Sequence, residues 1–325
     1  MFAWRKLGRV FAPQDVAGGA WMREFAQAPA ALVLDDVVRM YFSCRPAADA
    51  NGQYVSYGAF VDLDRSSLTR VIRVADHPIL DLGSIGSFDE FGTYPISVIR
   101  DGPALVAYYG GWTRCESVPF DVAIGCARSE DGGETFKKLG DGPVLGRSLY
   151  EPFVVSGPKV RRFDGRWYLF YIAGRKWKLA DGRPEPVYKI RLAISSDGVT
   201  WTRLNRDLIE SRLEEDEAQA SPDVCYAGGR YHMFFAYRRS VDFRGKANGY
   251  RIGYAWSTDL QIWRRDDEKV GIDVADEGWD SEMVSYPHVF EVDGATYMAY
   301  LGNEVGRHGF GLAVLDGSLG EARIR

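Results

Sequence analysis

A proline recurs through this chain at Pro29, Pro95, Pro158, Pro222 and Pro287, at separations of 66, 63, 64 and 65 residues. Each sits in the same local pattern: a short apolar run, a tight polar turn, then an aromatic-rich run. The five copies are APAALVLDDVVRMYFSCR, YPISVIRDGPALVAYYGGW, GPKVRRFDGRWYLFYIAGR, SPDVCYAGGRYHMFFAYRR and YPHVFEVDGATYMAYLGNE. A period of this length means one supersecondary unit stacked on copies of itself, because a single unit cannot bury its own apolar faces. A third apolar run follows in each unit (YVSYGAFVDL, DVAIGCARS, KIRLAISS, RIGYAWS, GFGLAVL). A fourth comes after a turn (LTRVIRV, TFKKLG, TWTRL, QIWRR). Alternating apolar, β-branched and aromatic residues between Asp-Gly or Gly-Gly turns specify antiparallel strands joined by hairpins.

Four strands repeated five times predict an all-β fold, a five-bladed β-propeller with four antiparallel strands per blade. The fifth unit lacks a fourth strand after GFGLAVL, and FAWRKLGRV near the N-terminus resembles the missing one. Trp4–Val10 is therefore expected to complete the last blade, which closes the ring and hides its sheet edges. At roughly 150 residues per domain, a 325-residue chain suggests about two domains. The uninterrupted repeat overrides that prior and predicts one domain over residues 1–325. The turns SEDGGETF, SSDGVTW and STDLQIW resemble the Asp-box, a hairpin motif of sialidase-like propellers. It is read as a folding device without chemistry.

Composition narrows the function. With 46% hydrophobic and 26% charged residues the chain is a folding one, not a disordered one. Lys+Arg 40 against Asp+Glu 45 leaves a net charge of −5. That balance excludes a broad basic surface and hence a nucleic-acid partner. No run approaches the roughly 18 apolar residues of a membrane span, so no membrane partner is expected. MFAWRKLGRVFAPQ has no apolar run after its basic residues and does not read as a secretory signal. Cys44, Cys115, Cys126 and Cys225 form no CxxC and no dense framework, which fits reduced thiols in the cytoplasm. The four histidines lack ligand spacing, so neither a metal nor another cofactor is required.

The connections expected to be long are those around residues 45–54, 110–121, 174–188 and 239–249, and around 76–92, 206–220 and 270–285. In an antiparallel meander they all fall on one face of the ring, where loops converge on the channel. Carboxylates lie upstream of the strand-opening prolines: Glu24, Asp89, Glu151, Glu217, Asp280 and Glu282. At the ends of the second strands come Arg45, Arg114, Arg175, Arg238, Arg239 and Asn303, interleaved with Trp112, Trp177, Tyr94, Tyr150 and Tyr286. Paired carboxylates with separated acidities are the equipment of glycosyl transfer, aromatic faces stack on sugars, and arginine forks hold carboxylate or phosphate. No GxSxG, HExxH or Walker A loop competes with that reading.

The repeated P-x-V-x₃₋₄-DG-x-[WY]-x-[LM]-[FAY]-[FY], met by SGPKVRRFDGRWYLFY and, with Thr296 at the [WY] position, by SYPHVFEVDGATYMAY, resembles the five-bladed propeller glycoside hydrolases of families 32, 43, 62, 68 and 130. GYRIGYAWSTDLQIWRRDDEKVGIDVADEGWDSEM and GFGLAVL are similar to blocks of bacterial family-43-like proteins. The resemblance implies sugar chemistry by two carboxylates in the channel. It also exposes departures. Gln27 stands near the place of the blade-1 acid, with Glu24 the closest carboxylate, and Ser156 in SGP stands in place of the blade-3 acid.

The expected catalytic residues are thus Asp89, Glu151 and Glu282, with Glu151 as general acid and Asp89 or Glu282 as base or stabiliser. The expected substrate-binding residues are Gln27, Arg45, Trp112, Arg175, Trp177, Glu217, Arg238, Tyr286 and Asn303. The substrate is a sugar or oligosaccharide, with phosphate a partner if the reaction is phosphorolysis. For each acid the competing role is a loop carboxylate paired with an arginine. For the whole chain it is a carbohydrate-binding or scaffold propeller without catalysis.

Overall fold

The computed structural model describes residues 1–16 and 19–321. The first strand, β1 (Trp4–Phe11), belongs to the last blade. Blade 1 is β2 (Glu24–Val33), β3 (Val37–Arg45), β4 (Tyr57–Asp64) and β5 (Ser67–Val74). Blade 2 is β6 (Gly92–Asp101), β7 (Ala104–Arg114), β8 (Phe120–Ser129) and β9 (Lys137–Lys138). Blade 3 is β10 (Val155–Phe163), β11 (Arg166–Ala180), β12 (Arg183–Ser195) and β13 (Thr202–Arg203). Blade 4 is β14 (Ala218–Ala227), β15 (Arg230–Arg238), β16 (Arg251–Ser257) and β17 (Arg264–Arg265). Blade 5 is β18 (Ser285–Val292), β19 (Ala295–Leu301) and β20 (Phe310–Leu315). Its fourth strand is β1, antiparallel to β20 from Trp4↔Leu315 to Phe11↔Phe310. The five four-stranded sheets and the closure by the N-terminal strand are as the repeat predicts.

The aromatic-rich second strands have a specific use. Side chains alternate across a strand, so each blade feeds the seams on both its sides. Tyr41 and Phe42 of β3 enter two different apolar clusters, as do Tyr108 and Tyr109 of β7, Phe170 and Tyr171 of β11, and Phe234 and Phe235 of β15. Each cluster lies between two neighbouring blades, so consecutive aromatics rivet one blade to both neighbours.

The prolines mark a bulge. Every inner strand slips register beside its proline: Gln27/Ala30, Thr93/Ile96, Ser156/Lys159, Ala220/Asp223 and Ser285/His288. The preceding residue is left-handed at Ala28 (φ 53), Gly157 (φ 63), Ser221 (φ 48) and Tyr286 (φ 52), and in blade 2 the Tyr94–Pro95 peptide is cis. Proline tolerates a bulge because it has no N–H to give to the ladder.

The Asp-box turns fold as expected. Asp131 accepts from Ser129 and from the backbone of Glu134 and Thr135. Asp197 does the same with Ser195, Val199 and Thr200, and Asp259 with Ser257, Gln261 and Ile262. One expected connection is not a loop. Residues 174–188 continue the β11–β12 ladder through Lys176↔Val187 to Ala180↔Arg183. At ~3.3 Å per residue, this hairpin rises roughly 15 Å beyond that point.

Candidate functional site at the channel mouth

The loop carboxylates divide sharply by their surroundings. Asp89 is 1% exposed; its carboxylate accepts from Tyr109 Oη at 2.9 Å and pairs with Lys138 Nζ at 2.7 Å. Glu151, also 1% exposed, accepts from Tyr171 Oη at 2.6 Å and pairs with Arg191 at 3.0 Å and Arg203 at 2.8 Å. Asp280 accepts from Tyr300 Oη at 3.0 Å and pairs with Lys6 at 2.7 Å. In blade 4 the second strand, β15, has Phe235 in place of such a tyrosine. There Glu217 takes Arg265 at 2.6 Å, Gln219 at 2.9 Å and the backbone N–H of Arg212 and Leu213. Burial opposes ionisation of Glu217, but the Arg265 guanidinium prevails and holds its carboxyl below the ordinary value.

Lys138, Arg203, Arg265 and Lys6 all stand on the outermost strand of their blade. Each acid therefore ties the loop that enters a blade to that blade's outer edge, in four blades of the five. In this geometry Asp89, Glu151 and Glu217, expected as site residues, are engaged within their own blades. The contact recurs from blade to blade, as a structural lock does. The cavity that Asp89 lines, about 360 Å³, lies between residues 80–89 and Phe136–Lys138 at the outer strand, not on the axis.

Arg238 is likewise engaged by the protein. It is 1% exposed, stacks 3.5 Å over Phe243, and donates to Arg239 O, Ser240 O, Pro186 O and Tyr188 Oη. Asn303 staples a loop, accepting from the Glu282 and Met283 backbone and donating to Gly278 O. Trp112 donates to Ser56 Oγ at 2.7 Å. Trp177 rides on the blade-3 hairpin, edge-on to Phe120 of blade 2 at 5.4 Å. Arg175, on the same hairpin, lies 3.8 Å from Asp207. Lys176 and Lys178 pair with Asp216 at 2.8 and 3.3 Å, so the hairpin is braced against blade 4 as well.

The inner-strand bulges place a different set of residues at the channel mouth. Tyr94 of blade 2 donates to Tyr286 of blade 5 at 2.8 Å, spanning two blades that are not neighbours in the ring. Arg45, at the end of β3, lies over Phe25 at 4.3 Å and Tyr54 at 5.3 Å and donates from Nη2 to Gln27 Oε1 at 3.2 Å. Gln27 in turn donates to Val305 O at 2.6 Å. Glu24 faces Arg45 across the ladder, yet its carboxylate is taken by Arg307 at 3.0 Å and Tyr54 Oη at 3.1 Å. Glu282, partly buried on the loop into Tyr286, has no ion pair and no side-chain hydrogen bond among the described residues. Of the expected set, Gln27, Arg45 and Tyr286 thus come together. Two further residues of the site are Tyr54, from the β3–β4 connection of blade 1, and Arg307, from the β19–β20 connection of blade 5, and neither belongs to the repeated pattern.

Beyond the bulges, the inner strands of blades 3, 4 and 5 bury a charged cluster. Lys159 Nζ is 3.1 Å from His288 Nδ1, which is 3.5 Å from Asp223 Oδ1. Asp223 also takes Arg161 at 2.5 Å and the Val289 N–H at 2.6 Å. Burial lowers Lys159 to about 8 and His288 to about 4. In Asp223, burial is outweighed by Arg161 and His288, and its carboxyl is held far below the ordinary value.

No protein-family model matches the chain. Two Mycobacterium tuberculosis proteins, MT1551 of strain CDC 1551 and Rv1502 of strain H37Rv, both described as uncharacterized, are 36% identical over 315 residues, covering 97% of this chain and 99% of theirs. Among solved structures, a glycoside hydrolase superposes with TM-score 0.73 at 17% identity over 99% of this chain and 94% of its own. A structure from the GH130 family of mannoside phosphorylases, which contains hydrolases of β-1,2 mannosidic linkages in Candida mannan, gives 0.73 at 14% over 97% and 94%. A thermostable family-43 glycoside hydrolase gives 0.63 at 16% over 92% and 89%. At these identities the likeness is one of fold: that of the five-bladed propeller glycoside hydrolases.

Proposed function

The chain belongs to the family of the M. tuberculosis proteins MT1551 and Rv1502, and from that membership and its propeller fold we propose that it is a cytoplasmic carbohydrate-active enzyme that cleaves or transfers a glycosyl group at the channel mouth. The observation that carries this reading is Glu282. It is a partly buried carboxylate free of ion pairs among the described residues, four residues before Tyr286 at the mouth. Such a group can exchange a proton with a leaving oxygen or a water, and no salt bridge has to break first. Glu24 is the second carboxylate: Arg307 and Tyr54 both hold its Oε2, and its Oε1 takes no hydrogen bond among the described residues. Tyr94, Tyr286 and Gln27 supply the hydrogen-bonding groups that orient a sugar. Four unpaired cysteines support the cytoplasmic assignment.

The test is a screen of activated glycosides and nucleotide sugars, with and without phosphate. Phosphate dependence of turnover separates phosphorylase from hydrolase. On the substrate found, Glu282→Gln should lower kcat by about 10²-fold or more. Unchanged kcat excludes Glu282 as the acid or base.

A second reading, a sugar-binding propeller without catalysis, is favoured by the occupied state of Asp89 and Glu151 and by Gln27 and Ser156 at the places where the resemblance implies acids. Sugar binding without turnover of any substrate in the screen would establish it.

A further inference from the structure

Arg45 differs from the other arginines of this face. Arg191, Arg203 and Arg265 are paired with buried carboxylates, and Arg238 has four protein oxygens as acceptors. Arg45 has neither. Its only hydrogen bond among the described residues engages one of its five N–H groups, and Nε is shut off from solvent without a partner. Its natural counter-ion, Glu24, is its register partner but is committed to Arg307 and Tyr54. Gln27 fills the remaining place with a neutral amide, itself anchored through Nε2 to Val305 O. Burial lowers the Arg45 pKa, and the nearby Tyr94, Tyr54, Tyr286 and Glu24 offset that only in part. A cation desolvated this way is costly unless something meets it. Phe25 and Tyr54, whose rings stand at 87° to each other, pack against the guanidinium as cation–π partners and take none of its N–H groups, which leaves those for a planar or tetrahedral oxyanion.

We propose that the channel mouth is built for an anionic sugar, with Arg45 docking the carboxylate or phosphoryl group and the Tyr94–Tyr286 hydroxyls beside it. This deepens the sugar-processing reading and rests on it for the sugar, while the anion site itself stands on Arg45. Gln27 is the specificity-determining residue. A glutamate there would place a fixed carboxylate beside Nη2 and close the site to an external one.

The experiment is calorimetric titration of the full chain with glucuronate, inorganic phosphate and glucose, at low and high salt. At least one anion should bind about tenfold or more tightly than glucose, and the preference should shrink with salt. Arg45→Met and Gln27→Glu should each abolish that preference, and Arg45→Lys should retain part of it. Preference for glucuronate identifies a uronate, and preference for phosphate a phosphoryl group. Equal affinity for glucose and both anions, no detectable binding of either anion, or an anion preference unchanged in Arg45→Met overturns the proposal. Because binding is read without turnover, loss of the catalytic reading alone would leave this result standing.

Discussion

Glu151 in blade 3 and Arg45 in blade 1 are both charged residues near the channel-face end of a blade, and they have opposite surroundings. Glu151 is met by two guanidiniums and a phenol. Arg45 is met by two aromatic faces and an amide. The first arrangement satisfies a buried charge inside the protein and serves the fold. The second leaves the charge to be satisfied from outside, and that is where a ligand belongs.

The largest effect should come from breaking the satisfied case. Glu151→Ala strands Arg191 and Arg203 near a buried site and should cost about 3–5 kcal/mol of unfolding free energy, measured by urea denaturation. A loss under about 1 kcal/mol would mean the lock does not hold blade 3. Removing the phenol alone, Tyr171→Phe, should cost about 1–2 kcal/mol on the same assay. The unsatisfied case should behave in reverse. Arg45→Met removes a charge that no protein carboxylate meets, so its denaturation midpoint should stay level or rise. A fall as large as that of Glu151→Ala would erase the distinction between the two sites.

A pH slope probes the buried charged cluster. His288 is buried against Lys159, Asp223 and Arg161, and its folded pKa is lowered to about 4 from an unfolded value near 6.5. The unfolded chain therefore binds more protons between those values, and stability should rise with pH from about 4 to 6.5. Lys159, lowered to about 8, should add a further rise above pH 8. In His288→Gln the acid-side slope should flatten in thermal melts. An unaltered slope would assign it to other groups.

Much of the fold is legible in the chain because its period is carried by backbone chemistry. Each of the five prolines occupies a bulge, and the paired aromatics face two seams, so the spacing of residue types and the geometry coincide. The roles of the acids were harder to read. Asp89, Glu151 and Asp280 recur before the inner strands, and recurrence alone does not separate a lock from a catalytic set. Their partners lie on other strands of the same blade, out of local view. One local signal marks the lock: each acid precedes a second-strand tyrosine by 20 residues, at Tyr109, Tyr171 and Tyr300. Arg45 was named from its place at a strand end, but its lack of a counter-ion depends on Arg307, nearly the whole chain away. That competition for Glu24 has no trace in local sequence.

Strand β1 lies in the same sheet as β20, so the ring shuts by joining the earliest-made strand to the latest. During synthesis, blades 1 and 4 must each wait with one flank bare until the strands of blade 5 leave the ribosome. Its partner being some three hundred residues off, β1 meets it only after the steepest loop-closure step in the molecule. Once fastened, the same joint makes separate loss of a blade difficult, because opening any seam releases the circular constraint on the other four.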